Sequence, residues 1–371
     1  MSNIKISNIP EMSIDKVVSK LSKSYVSVIN HNMPVTVLPS VMLWGPPGVG
    51  KSQAIRQIKD EIEYNTNKKV KITDVRLLLF NPIDLRGIPT ANNDKTLAVW
   101  LKPQIFQMDD SKDVINILFL DEISAAPQSV QAAAYQITLD RVIGEHKLPD
   151  NCIVIAAGNR VTDKSVAYKM PKALANRLLH IDVVGNFESW KKWAVSKGIN
   201  EKVVSFLTFR TDLLMEQDSK FDDLAFTTPR SWEKVSDLLN YVNDDVNDMY
   251  DLISGLIGSG VAIEFRTWSK IFYNLPNIDD IFEGKMVSIP KMHDELYALS
   301  SAIVAKAKQY KDDLDKIENS LKFIELLPPD YSVIIIKDYL YIEKDYKLKL
   351  MKLPGFVKWM NNKGKLLHAI D

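Results

Sequence analysis

One stretch constrains this chain more than any other: Val41-Met42-Leu43-Trp44-Gly45-Pro46-Pro47-Gly48-Val49-Gly50-Lys51-Ser52. Its first four residues form a short apolar run that reads as a buried strand, and the run stops at a turn rich in glycine and proline. Past the turn, Ile55, Ile58 and Ile62 fall at helical spacing. Strand, Gly-x-x-x-x-Gly-Lys-Ser turn and helix, in that order, are the setting of a phosphate-binding loop. Glycines let consecutive N–H groups converge on a polyphosphate, and the helix N-terminus adds its positive dipole end. Lys51 is then placed for the β- and γ-phosphates and Ser52 for Mg²⁺. A plain glycine-rich turn before a lysine would need neither flanking element. The stretch therefore predicts a nucleoside triphosphate site cradled by Gly45, Pro46, Pro47, Gly48, Val49, Gly50, Lys51 and Ser52.

A chain of 371 residues has room for two or three domains. Its 47 basic and 47 acidic side chains cancel, so no whole-chain field draws it to nucleic acid or to a membrane surface. The single cysteine, Cys152, lies inside the apolar run 152–157 and reads as strand core rather than a reactive thiol. One cysteine permits no internal disulfide, which fits a reducing compartment. The N-terminal Met1-Ser2-Asn3-Ile4-Lys5 lacks a signal-peptide pattern and no run approaches membrane-spanning length, so the expected location is cytoplasmic.

Periodicity lays out the first half as alternating helices and strands. Ile14, Val17, Val18, Leu21, Tyr25, Val28 and Ile29 describe an amphipathic helix over 13–29. Strands are predicted at 70–76, 115–120, 152–157 and 179–184, and helices at 128–140 and 171–178. Residues 141–148 resemble a small hairpin, and Asn92-Asn93-Asp94 looks like a turn tip. Alternation of this kind implies a mostly parallel sheet with helices on both faces, ending near 185–187. From Trp190 the pattern is helical, with acidic loops at 216–223 and 243–248 and two further helices at 292–310 and 312–327. The run 332–336 suits either a strand or a buried helix, and its helical neighbours favour helix.

The residues able to do chemistry cluster at predicted strand ends. Asp121 and Glu122 close an apolar strand about seventy residues after the loop, and in an open parallel sheet both emerge at the carboxyl edge where ligands bind. Asp121 suits the Mg²⁺ shell, and Glu122 suits polarising a water toward the γ-phosphorus. Asn159 ends the next strand, where an amide can orient that water or simply stabilise a tight turn. Arg177 ends a helix; it either reaches a γ-phosphate held by a neighbouring subunit or caps its own helix dipole. Arg230 opens a helix, where a cation gains nothing from the dipole, so a ligand role competes with a surface ion pair. The five histidines show no metal-ligand spacing, which argues against a zinc site.

With these residues in place the chain resembles the AAA+ ATPases, and among them the MoxR-type branch. Gly45–Ser52 looks like Walker A, and Leu118-Phe119-Leu120-Asp121-Glu122 like Walker B. Asn159, Arg177 and Arg230 stand where that family has its first sensor, arginine finger and second sensor. Asp84-Leu85-Arg86-Gly87-Ile88-Pro89 with Ala98-Val99-Trp100 is similar to the branch's insert hairpin, which interrupts the second helix and points toward a ring pore. Residues 144–149 and 156–160 resemble its second hairpin and sensor block, and 256–265 with 327–329 resemble a C-terminal part of some members. Met170-Pro171-Lys172 departs from the pattern, with a lysine where an acidic residue is usual.

The resemblance implies an α/β P-loop NTPase fold, a parallel sheet flanked by helices with an all-α C-terminal lid and a helical extension. The expected domains are 1–186 with hairpins near 84–101 and 141–149, a lid over 187–290, and an extension over 291–371. It further implies ATP and Mg²⁺, a homo-oligomeric ring of six, and chaperone-like remodelling of a protein client, in some relatives beside a von Willebrand A-type domain. A ring acting on nucleic acid is the main alternative. An ATP clamp without catalysis is a second, which Glu122 opposes; a small-molecule kinase is a third, which leaves Arg177 and the lid without a role.

Overall fold

In the computed structural model, residues 9–160, 170, 175–215 and 224–368 are described. The N-terminal pentapeptide, residues 171–174 of the helix expected at 171–178 (with Lys172), and the acidic loop 216–223 lie outside them. The chain divides into two compact units, Met1–Asn186 and Phe187–Asp371.

The first unit is built on a six-stranded sheet. Its strands are β1 (Glu11–Met12), β2 (Val41–Trp44), β3 (Lys69–Arg76), β6 (Val114–Asp121), β9 (Cys152–Gly158) and β10 (Leu179–Val183). Their spatial order is β1-β10-β2-β9-β6-β3, with every pairing parallel. Parallel neighbours need crossovers, and helices supply them: α1 (Ile14–Asn30), α2 (Lys51–Thr66) and α4 (Gln128–Asp140).

Central strands are apolar on both faces because both are covered. Seven of the eight residues of β6 are buried, as are all seven of β9. Met42, Leu118, Leu120, Val154 and Ala156 share one cluster with Val130, Ala133, Ala134 and Ile137 of α4. Buried residues of opposite parity, such as Leu43, Phe119 and Ile155, point to the other face. The one polar side chain inside β6, Asn116, donates to Asp109 O at 2.7 Å and Asn151 Oδ1 at 3.1 Å. Those bonds offset its burial.

Two hairpins leave the sheet. β4 (Ile88–Ala91) pairs antiparallel with β5 (Ala98–Leu101), after a single helical turn α3 (Pro82–Arg86). Asn92 Oδ1 accepts the N–H groups of Thr96 and Leu97, forming the expected turn tip. The smaller hairpin joins β7 (Val142–Ile143) to β8 (His146–Lys147). His146 Nε2 meets Trp100 O at 2.8 Å, and a Cβ on Gly144 (φ +57°) would lie 2.5 Å from Arg86 O, so the two hairpins dock closely.

The second unit is all helical. Its helices are α5 (Phe187–Lys197), α6 (Glu201–Phe209), α7 (Pro229–Tyr241), α8 (Tyr250–Ile257), α9 (Ser259–Ser269) and α10 (Ile278–Phe282). They continue as α11 (His293–Gln309), α12 (Leu314–Leu326), α13 (Pro329–Tyr339), α14 (Tyr346–Leu350) and α15 (Pro354–Lys363). The ambiguous run 332–336 is helix, inside α13, with Ser332, Val333, Ile335 and Ile336 buried. Phe206, Trp232 and Phe265 centre one core, with ring centroids 5.3–5.7 Å apart. A second core gathers around Leu299, Ile303, Tyr339 and Trp359, and includes Ile281 and Phe282 of α10.

Candidate active site

The loop Gly45–Gly50 leaves β2 and enters α2 through Gly50, whose φ of +104° makes it the helix N-cap in a left-handed conformation. Gly45 lies so close to β10 that a Cβ would sit 2.6 Å from Val183 O. Glycine at that position therefore answers a steric demand. The Lys51 ammonium, in a residue only 8 % exposed, donates to the carbonyls of Gly45 (2.5 Å) and Pro46 (3.0 Å) and to Asn159 Oδ1 (3.1 Å). Ser52 Oγ donates to Asp121 Oδ2 at 3.0 Å. Residues far apart in the chain thus meet at the carboxyl edge of β2, β6 and β9.

The acidic pair is held by its backbone. Glu122 adopts φ +60°, and its N–H donates to Asp121 Oδ1 at 2.9 Å. The next N–H, on Ile123, continues the ladder to Ala157 O at 2.9 Å. Ser124, 1 % exposed, accepts the Asn159 N–H at 2.8 Å. On neighbouring β3, partial burial and the Asp121 charge push the Asp74 carboxyl above the ordinary carboxylate range, against the pull of Arg76 and Arg56. Negative potential at the Asp121 edge is what a cation there would need.

Ser52 and Asp121 are hard oxygen donors 3.0 Å apart, the set that Mg²⁺ takes together with phosphates and water. Among the described residues, no group of three or more His, Cys, Asp or Glu side chains is arranged around a metal position. The donor set fits a cation shared with a nucleotide better than one caged by protein.

Arg177 lies in the turn after residue 175, exposed, with Asp140 at the end of α4 3.8 Å from its Nη1. Arg230, in the second unit, occupies the first turn of α7 and is exposed; Thr228 and Ser231 cap that helix reciprocally. Three participants are not singled out by the sequence pattern: Ser124, Asp74 and Arg160, whose Nε donates to buried Asp182 at 2.6 Å. Two are single polar residues beside a strand end, and a lone serine or arginine carries no periodic signal. Asp74 sits at an alternating polar position of an edge strand, which reads as solvated.

Residues 40–180 match the family model described as "ATPase family associated with various cellular activities (AAA)". They are an AAA-family ATPase domain. This AAA segment runs from the residue before β2 into β10 and contains Lys51, Ser52, Asp121, Glu122, Asn159 and Arg177 but not Arg230. Solved structures similar to the chain include a mutant form of RuvB from Thermotoga maritima, 16 % identical, covering 82 % of this chain and 88 % of that one, with a TM-score of 0.36. PCH-2 of C. elegans is 12 % identical over 70 % of this chain and 68 % of that one, TM-score 0.36. NtrX from Brucella abortus in complex with ATP is 13 % identical over 97 % and 70 %, TM-score 0.35. No curated protein matches the chain. The AAA domain is an ATPase, and no helix among the described residues is long and apolar enough to cross a membrane.

Proposed function

We propose that this chain is a MoxR-type AAA+ motor that hydrolyses ATP between the subunits of a homo-oligomeric ring, a hexamer, and uses the cycle to remodel a protein client. The observation that carries the reading is the convergence of Lys51, Ser52, Asp121 and Asn159 within hydrogen-bond reach, next to a carboxylate at Glu122.

In this reading Lys51 exchanges the loop carbonyls of Gly45 and Pro46 for the β- and γ-phosphate oxygens of ATP, while N–H groups of residues 48–52, at the α2 N-terminus, cradle the phosphate chain. Ser52 and Asp121 are the residues that would hold Mg²⁺, and the ion would supply Lewis-acid stabilisation of negative charge on the phosphate oxygens. Glu122 accepts a proton from the attacking water, and the Asn159 amide orients that water. Arg177 stabilises the transition state in a neighbouring subunit, where an arginine finger is worth roughly 10³–10⁵ in rate. Arg230 reads the nucleotide from the helical lid. The first hairpin, with Ile88 and Leu97 exposed, is the contact offered to the client; a von Willebrand A-type companion fits the same scheme.

The test is Glu122→Gln. That variant is expected to bind ATP as the wild type does, to accumulate rings and to show no turnover; a wild-type turnover rate overturns the base assignment. Proteins retained by the trapped ring report the client class. Salt-dependent stimulation of wild-type turnover by DNA, with no protein retained, would replace the protein-remodelling reading with a nucleic-acid one.

A further inference from the structure

We propose that His180 is a positioning residue for Arg177, acting through a hydrogen-bonded bridge that joins the phosphate-loop strand to the turn carrying that arginine. Trp44, the residue before Gly45, donates its indole N–H to His180 Nδ1 at 2.9 Å, across 136 residues of sequence. An indole nitrogen only donates, so Nδ1 is the acceptor and the ring proton sits on Nε2. Nε2 then donates to Ala175 O at 2.7 Å. The same carbonyl accepts the Leu178 N–H at 3.3 Å, closing the turn that presents Arg177. The two rings stack with 16° between planes and centroids 6.1 Å apart, which fixes the imidazole's rotation as well as its tautomer.

Strand register makes the bridge possible. In the parallel pair β10–β2, His180 lies opposite Met42 and Asp182 opposite Trp44, so the side chains of His180 and Trp44 project from one face, one step apart. The far end of the bridge touches the nucleotide cradle, because Gly45 follows Trp44 and its carbonyl accepts the Lys51 ammonium. Arg177 itself is exposed, and its contact with Asp140, 3.8 Å between two exposed side chains, is too loose to set its direction. A long side chain on an unfastened turn would sample many positions; closing the turn through Ala175 O narrows them. The bridge therefore connects the pocket a subunit fills with its own ATP to the cation it extends toward its neighbour.

The inference rests on the reading of Arg177 as a cation acting in trans, and the experiment separates the two. His180→Ala and Trp44→Phe, which deletes the donor but keeps a ring, are prepared in the full chain beside Arg177→Ala and Glu122→Gln. Homogeneous His180→Ala is expected to bind ATP within about twofold of wild type and to lose about tenfold or more in kcat, since a misplacement of about 1 Å costs on the order of 10²-fold. Mixed with Glu122→Gln subunits, which carry an intact arginine turn, it is expected to regain turnover, as is Trp44→Phe. A general structural defect would not be rescued by a neighbour. Rescue of Arg177→Ala without rescue of either bridge variant overturns the His180 role alone, as does wild-type kcat in both bridge variants. Failure to rescue Arg177→Ala removes the trans reading on which it rests. If His180→Ala does not fold, Trp44→Phe decides alone by the same criteria.

Discussion

At the scale of single residues, Glu122 is the most telling. A non-glycine residue at φ +60° is held there against a local preference worth about 1 kcal/mol, and such conformations persist where surrounding bonds over-determine them. Here the bonds are its own N–H to Asp121 and the next N–H to Ala157. Glu122→Gln keeps those backbone contacts, so its unfolding free energy should stay within about 0.5 kcal/mol of wild type while turnover is lost. Ser124 is the residue that fastens Asn159 to the acidic turn. Ser124→Ala leaves the Asn159 N–H without its acceptor, a cost of about 1–3 kcal/mol, and should lower kcat more than ATP affinity in steady-state assays. Cys152 behaves oppositely to a reactive thiol: burial pushes it up to about 11. Iodoacetamide should label it only at the rate of unfolding, and rapid labelling of the native chain would contradict its place in β9.

At the scale of elements, helix ends and strand ends carry the local design. α7 begins Thr228-Pro229-Arg230-Ser231, with Thr228 Oγ1 accepting the Ser231 N–H at 3.0 Å and Ser231 Oγ accepting the Thr228 N–H at 2.8 Å. Thr228→Ala should cost about 1 kcal/mol in chemical denaturation, whereas Thr228→Ser, which keeps the capping oxygen, should cost much less. Elements such as α4 and β6 are readable because apolar residues recur along them at the spacing of a helix or of a strand covered on both faces. The run 332–336 is not, since four consecutive apolar residues after Ser332 suit strand and buried helix equally. Its surroundings decide: Pro329 opens the helix, and Tyr331, Ile335 and Tyr339 pack into a helical core. The first hairpin is legible as an irregular, polar-tipped insertion, but its single preceding turn of helix, Pro82–Arg86, is not. There Asn81 and Asp84 cap each other across three residues, a signal too short to stand out.

At the scale of the molecule, the all-α unit carries a buried ion pair between α5 and α13. Lys191 Nζ lies 2.9 Å from Asp338 Oδ2, with both side chains at most 6 % exposed. Burial pushes the Asp338 carboxyl above its ordinary range, against the field of Lys191. Removing one partner leaves an uncompensated buried charge, so Asp338→Ala should cost about 3–5 kcal/mol, whereas the double change Lys191→Met with Asp338→Leu should cost far less. Urea denaturation of wild type, Lys191→Met, Asp338→Leu and the double variant measures the coupling; a double-variant loss equal to the sum of the two single losses would show that the pair is not coupled.

What the linear order of residues determined by itself was local chemistry. The strand, glycine turn and Lys-Ser helix at 41–62, the acidic end of β6 and the switch to helical periodicity after 187 each depend on neighbours within a few residues, so pattern and turn chemistry suffice to read them. Tertiary structure alone decided which of those ends meet. Lys51 reaches Asn159 across 108 positions, and Trp44 reaches His180 across 136, because the strand order β10-β2-β9-β6 sets their termini side by side. Hydrogen-bond partners at such separations follow from strand order and register, and neither is written in the period of any one segment.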